Sequence, residues 1–102
     1  MINYTKEKML DYDDCVVLFS NPIDVNSTIM KCILEELETK YTDIHFFIVE
    51  DYKFEQFSFI KEIPTIQIYK NKKLLCSLFG RVARNELENI FDNLISNKEE
   101  SI

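Results

Sequence analysis

Two short apolar runs on either side of an amphipathic segment most constrain how this 102-residue chain can fold. The runs are CVVLFS at 15–20 and IHFFIVE at 44–50, and their β-branched and aromatic residues are typical of strands that are covered on both faces. Between them, from Ser27 to Tyr41, apolar residues recur at helical spacing, and charged residues occupy the opposite side. A strand, a helix and a strand in this order predict a right-handed crossover between parallel strands.

The second half of the chain predicts a hairpin followed by a helix. TIQIYK at 65–70 alternates β-branched and polar residues, NKK at 71–73 suits a turn, and LLCSLFG at 74–80 is the returning strand. In NELENIFDNLI at 85–95 the apolar residues fall at helical spacing, and Asn85 with Glu88 matches a capping box.

Two further segments predict short helices, namely KEKMLDYD at 6–13 and YKFEQFSFI at 52–60. We therefore expect an α/β fold with a mixed sheet of four or five strands flanked by helices. The length fits a single domain over residues 1–102, with a short N-terminal segment at 1–14 and a polar tail at 96–102.

The charge pattern argues against a nucleic-acid partner. The net charge is −6, and residues 1–51 hold four lysines against eleven acidic residues. Phosphate binding needs a basic surface, so we expect no nucleic-acid binding. The one basic cluster suits a solvated hairpin and helix start; it consists of Lys70, Lys72, Lys73, Arg81 and Arg84.

The cysteines and the hydropathy pattern indicate a cytoplasmic protein. Cys15, Cys32 and Cys76 are odd in number and widely spaced, and each lies in an apolar run, so we expect three buried free thiols rather than disulfides. The sequence shows no signal peptide and no apolar segment of membrane-spanning length, so we expect no membrane association.

Neither a metal site nor a catalytic triad has support in the sequence. His45 is the only histidine, and no cysteine or carboxylate lies at ligand spacing from it. The single glycine rules out a glycine-rich phosphate loop, and nothing near His45 marks a nucleophile. We therefore expect no cofactor, no metal and no catalytic residue.

The element order, together with Ile63-Pro64-Thr65 directly before the hairpin, resembles a thioredoxin. The resemblance extends from about Cys15 to Ile95. It rests on the strand VVLF, the long helix ending in ILEELETKY, the IPT before TIQIYKN, and Gly80 at the end of the last strand.

The resemblance implies that the stretch Asp24 to Ser27 occupies the position of the Cys-Gly-Pro-Cys redox motif of thioredoxins. Both cysteines are replaced, by Asp24 and Ser27, and Ile23 stands where the family has an aromatic residue. Thiol–disulfide exchange needs a thiolate to attack a disulfide, so we expect a redox-inactive domain rather than an enzyme. Asp24 and Asn26 are good residues for capping the helix that starts here.

In thioredoxins the proline of this tripeptide is cis and lies against the motif, and the adjoining backbone pairs with an extended substrate peptide. The resemblance therefore implies a protein or peptide partner that pairs with a groove formed by Ile23, Asp24, Val25, Asn26, Ser27, Ile63, Pro64 and Thr65. The alternative explanation for Pro64 is that the fold alone requires it.

Two other functions remain open at this stage. One is a divergent thiol-disulfide oxidoreductase that uses Cys32 or Cys76 as a single thiol with glutathione or a partner protein. The other is a subunit that buries YKFEQFSFI against a second chain. The sequence leaves the oligomeric state open.

Overall fold

Five strands and three helices are present in the part of the chain that the structure, a computed structural model, describes: residues 1–50, 60 and 62–100. Their bounds are β1 (Ile2–Asn3), α1 (Lys6–Met9), β2 (Cys15–Phe19), α2 (Val25–Lys40), β3 (His45–Val49), β4 (Thr65–Lys70), β5 (Lys73–Phe79) and α3 (Arg84–Glu100).

The strands form one mixed sheet in the order β1-β3-β2-β4-β5. β2 and β3 are parallel and β4 pairs antiparallel with β5, as the sequence predicted. The structure adds an antiparallel pairing between β2 and β4, which joins the hairpin to the parallel strands. The fifth strand, β1, pairs parallel with β3. It lies in the segment 1–14, where we predicted no strand.

Apolar side chains cover both faces of the central strands. On one face, Val16 and Leu18 of β2 and Ile66 and Ile68 of β4 pack with α2 and α3 to form the larger core. On the other face, Cys15, Val17 and Phe19 form a second core with Phe47 and Val49 of β3. Because successive side chains of a strand point to opposite faces, two covered faces require the continuous apolar run CVVLF.

The helix bounds differ from the predictions mainly at the ends. α1 ends at Met9 rather than at residue 13, and α2 begins at Val25, two residues earlier than predicted. α3 continues through Glu100, so most of the predicted polar tail at 96–102 is helical. The predicted helix at 52–60 lies outside the described residues except for Ile60, which is not helical.

The predicted capping box at the start of α3 is wrong. The helix begins at Arg84, so Asn85 is its second residue and cannot be the N-cap. The carbonyl of Ala83 instead accepts hydrogen bonds from the backbone N–H groups of Glu86 and Leu87, at 3.1 and 3.2 Å.

The turn between β4 and β5 is held against the start of β2. Asn71 and Lys72 have φ of 52° and 67°, as a tight hairpin turn requires. The Lys72 N–H donates to the Asp13 carbonyl at 2.9 Å, and the Asn71 N–H donates to Asp14 Oδ1 at 3.3 Å. These bonds fix one end of the hairpin, so its other end meets the carboxyl end of β2.

Within the described residues, no helix combines the length and the hydropathy needed to cross a membrane.

Candidate functional site

The loop between β2 and α2 is closed by hydrogen bonds of its own. Asn21 Oδ1 accepts from the Ile23 N–H at 3.0 Å, and the Asn21 carbonyl accepts from the Asp24 N–H at 2.9 Å. Ser27 Oγ accepts from the Asn21 N–H at 3.2 Å, and Ser27 is fully buried. The loop is therefore tied to the first turn of α2 through Ser27.

Asp24 caps α2, as predicted. Its backbone is extended, with φ −82° and ψ 128°, and its Oδ2 accepts from the Ser27 N–H at 2.8 Å. This geometry satisfies one of the N–H groups that a helix start leaves unpaired. The predicted capping role of Asn26 is wrong, because Asn26 is the second residue of the helix and is exposed.

The segment 63–65 lies at the same end of the strands as this loop. The Ile63–Pro64 peptide bond is cis. Thr65 lies opposite Phe19, the last residue of β2, and opposite Phe79 at the end of β5. The fold therefore brings both halves of the predicted groove to the carboxyl end of β2.

The eight predicted groove residues differ in what they can contact. Ile23 and Val25 are 86% and 72% exposed, so their apolar side chains are open to solvent. Ser27 and Thr65 are buried, and Thr65 Oγ1 donates to the Glu62 carbonyl at 2.6 Å. Of the predicted groove residues, Ser27 and Thr65 are therefore structural, whereas Ile23 and Val25 present apolar surface to solvent.

Two residues that lie beside the predicted groove were not among its predicted residues. Phe79 is 59% exposed, and the Gly80 N–H donates to the Pro64 carbonyl at 2.8 Å. Gly80 has φ 73°, a conformation that suits glycine. The hairpin register could have revealed both, since it places the end of LLCSLFG opposite the start of TIQIYK.

The three thiols are free, and they lie in three different environments. Cys15 is buried at the start of β2, and burial, with the Asp14 and Asp13 carboxylates, raises its pKa to about 11. Cys76 is partly buried, and burial raises its pKa as well. The expectation of three buried thiols therefore holds in full only for Cys15.

Cys32 is exposed, so its predicted burial is wrong. It follows the buried Met30 by two residues, which at about 100° per residue places it about 200° away around the helix axis. It therefore lies on the face of α2 opposite the core.

His45 lies near the opposite end of the sheet from the groove. Its ring stacks on Tyr12, with centroids 3.7 Å apart, and its backbone N–H donates to the Asp14 carbonyl at 3.1 Å. In the described parts of the chain, no three His, Cys, Asp or Glu residues group together in a way that could hold a metal ion.

Solved structures show which fold this arrangement belongs to. The chain is similar to thioredoxin f2 from Chlamydomonas reinhardtii, with a TM-score of 0.74 and 21% identity over 91% of this chain and 94% of that one. The chain has a thioredoxin fold. It is also similar to thioredoxin O2 from Arabidopsis thaliana in its oxidised state, with a TM-score of 0.69 and 18% identity over 82% of this chain and 76% of that one.

A third similar chain comes from a structure of the thiol resolving mechanism in yeast mitochondrial 1-Cys peroxiredoxin via glutathione/thioredoxin systems. Its TM-score is 0.73, with 21% identity over 91% of this chain and 92% of that one. No protein-family model and no curated protein matches the sequence. At these identities the similarity shows the thioredoxin fold and not an activity.

Proposed function

We propose that this chain is a redox-inactive thioredoxin-fold domain, spanning residues 1–102, that binds an extended segment of a partner protein. The binding site is the groove between Ile23–Ser27 and Ile63–Thr65. One observation carries the proposal: the carboxylate of Asp24 caps α2 at the end of the sheet where the cis Ile63–Pro64 bond also lies. None of the three cysteines is a groove residue.

The positions of the thiols support a domain without dithiol chemistry. A reductase of this type needs a thiolate that attacks and a second thiol that resolves the mixed disulfide. Cys32 lies eight residues beyond Asp24, which is about 12 Å along the helix. Cys15 begins β2, about 13 Å from the groove end of that strand. Neither thiol can replace the pair that a dithiol mechanism needs at the groove.

The exposed apolar side chains support binding. Ile23 and Val25 flank the cap and are largely in water. Burying one such side chain against a partner contributes about 1.5–3 kcal/mol. The backbone beside Pro64 would pair with an extended segment, and pockets near Ile23 and Val25 would select its side chains. We place this binding in the cytoplasm, where reducing conditions keep thiols free, and expect no nucleic-acid partner because the chain carries a net charge of −6.

Peptide selection followed by matched variants tests the groove. Peptides are selected from a random displayed library against the purified chain, and their affinities are measured by fluorescence anisotropy. Ile23→Asp should weaken binding about tenfold or more, which corresponds to the loss of one buried apolar contact. Leu10→Asp is the matched control, because Leu10 is also an exposed apolar residue but lies at the end of α1. Equal affinity in all three proteins would contradict the groove.

A proline substitution at Thr65, which would remove a backbone N–H beside the groove, is unsuitable as a test of binding. Thr65 is buried, and its strand lies between β2 and β5. Proline at this position would place a residue without an N–H group in an inner strand and would destabilise the fold.

The exposure of Cys32 favours one other function, that of a single-thiol oxidoreductase. Its thiolate would attack a disulfide sulfur, form a mixed disulfide and release the other substrate sulfur as a thiolate. One glutathione would then displace the reduced substrate and form a mixed disulfide with Cys32, and a second glutathione would regenerate the Cys32 thiol and leave as glutathione disulfide. Insulin disulfide reduction with glutathione, measured for the wild type and for Cys32→Ser, decides between the two functions. Activity that Cys32→Ser abolishes would establish the enzyme; equal background rates would leave the binding function.

A further inference from the structure

β5 is the outer strand of the sheet formed by the described residues, and it is much longer than the strand at the other edge. β5 has seven residues, whereas β1 has two. An outer strand presents backbone N–H and C=O groups that can pair with a further strand. Leu74 and Phe79 on this strand are 52% and 59% exposed.

The side chains of β5 offer apolar surface on both faces of the sheet. Leu74 lies opposite Tyr69, and Phe79 lies opposite Thr65, which places both on the face of the second core. Cys76 and Leu78 lie on the other face and pack partly against the larger core. A strand added beside β5 would therefore extend the apolar surface of both faces.

Positive charge lies at both ends of β5. Lys70 and Lys73 are directly opposite each other in the hairpin, an arrangement in which like charges are destabilising. Arg81 is exposed just beyond the other end of the strand. Within residues 1–50, 60 and 62–95, no ion pair involves these three cations, whereas Arg84 pairs with glutamates of α2 and α3.

Asp13 and Asp14, at the lysine end of the hairpin, form no ion pair with Lys70 or Lys73 within the described part of the chain. Asp14 is buried, and its Oδ1 already accepts from the Asn71 N–H. Asp13 is exposed and lies at the hairpin turn, where its carbonyl binds Lys72. Both lie at the lysine end of the hairpin, so Arg81 at the other end is not neutralised by either of them.

A second copy of this chain fits the edge poorly. Antiparallel pairing of two β5 strands about Cys76 would place Lys73 of each copy opposite Phe79 and close to Arg81 of the other, which brings like charges together at both ends. The pairing would also set two irregular segments side by side, because the β4–β5 register shifts between Ile68 and Tyr69.

We propose that β5 is a docking edge for an extended partner segment with apolar residues in its centre and an acidic residue at each end. The backbone of the segment pairs with β5, its central side chains cover Leu74 and Phe79, and its acidic ends neutralise the Lys70–Lys73 pair and Arg81. This edge is separate from the proposed groove, which it meets only at Phe79.

Three synthetic peptides test this edge. The first has alternating valine and threonine between terminal glutamates, the second has lysines in place of the glutamates, and the third is the first with alternate amides N-methylated. Backbone NMR shifts of the isotopically labelled chain locate the binding. We expect the first peptide to shift the amides of Leu74–Ser77, and the other two to bind at least about threefold more weakly, in the range of exposed ion pairs and lost strand hydrogen bonds.

A charge reversal on the protein completes the test. Lys73→Glu should weaken the first peptide by about threefold or more. Lys6→Glu, a charge reversal at another exposed lysine, on α1, should leave the affinity unchanged. Shifts confined to Ile63–Thr65 would overturn the docking edge and leave the groove proposal standing. Absence of binding, equal affinity for the three peptides, or sedimentation of the chain as a dimer through β5 would also overturn the docking edge.

Discussion

Replacing Asp24 with alanine should destabilise the domain by about 1 kcal/mol, the usual effect of losing an N-cap side chain. The change removes the 2.8 Å bond from the Ser27 N–H to Asp24 Oδ2. It keeps the bonds from the Thr28 N–H and Thr28 Oγ1 to the Asp24 carbonyl, both 3.1 Å, so α2 should still form. Asp24→Asn keeps a side-chain acceptor and should stay within a few tenths of a kcal/mol of the wild type.

Urea unfolding followed by far-ultraviolet circular dichroism measures this change. With the slope against urea unchanged, the alanine variant should show a lower midpoint, and its Tm should fall by about 4–8 °C. Hydrogen exchange at the Ser27 amide should become faster in the same variant. A wild-type midpoint for Asp24→Ala, or an equal loss in Asp24→Asn, would refute the capping assignment. If Asp24→Asn also keeps the peptide affinity of the wild type, the charge of Asp24 has no part in ligand contact.

Two further predictions concern thiols. The pKa of Cys15 is about 11 in the folded chain against an ordinary 9.0. Between these pH values the Cys15 thiol is therefore ionised in the unfolded chain and still protonated in the folded chain. The free energy of unfolding should therefore fall as the pH rises from about 9 to 11. Unfolding experiments with reductant should show a smaller fall for Cys15→Ala than for the wild type. Equal falls in the two proteins would contradict the effect of burial on the Cys15 pKa. The double change Asp24→Cys and Ser27→Cys should add dithiothreitol-dependent insulin reduction, because a helix N-terminus lowers a thiol pKa. A rate no higher than that of Asp24→Cys alone would contradict the assignment of this loop to the redox position.

The strands of the sheet were predictable because their pattern depends on local alternation and on burial of both faces. β4 has the predicted bounds 65–70, and β2 and β3 differ from the predicted runs only at their ends. β1 could not be predicted, because a strand of two residues is too short to show any periodicity. Its place in the sheet depends on pairing with β3, which lies more than forty residues away in the chain.

The site was predictable in position and less so in detail. The order of the elements placed Asp24 at the start of a helix. The helical spacing of α2 also predicts that Cys32 is exposed, but we predicted its burial because we considered only the apolar run around it. The burial of Ser27 and Thr65 depends on a loop bond to Asn21 and on pairing with β2 and β5. Contacts of this kind arise only after the chain has folded.

The residues of the proposed groove are held in place by contacts that do not involve sulfur. The cap from Asp24 to the Ser27 N–H holds the helix start, and the row of Phe19, Thr65 and Phe79 across three strands holds the segment after Pro64. Because neither contact involves a thiol, the proposed groove does not depend on the two cysteines that thioredoxins have at this position. For this reason we propose the pairing of this groove with an extended chain, and not thiol–disulfide exchange, as the function to test first.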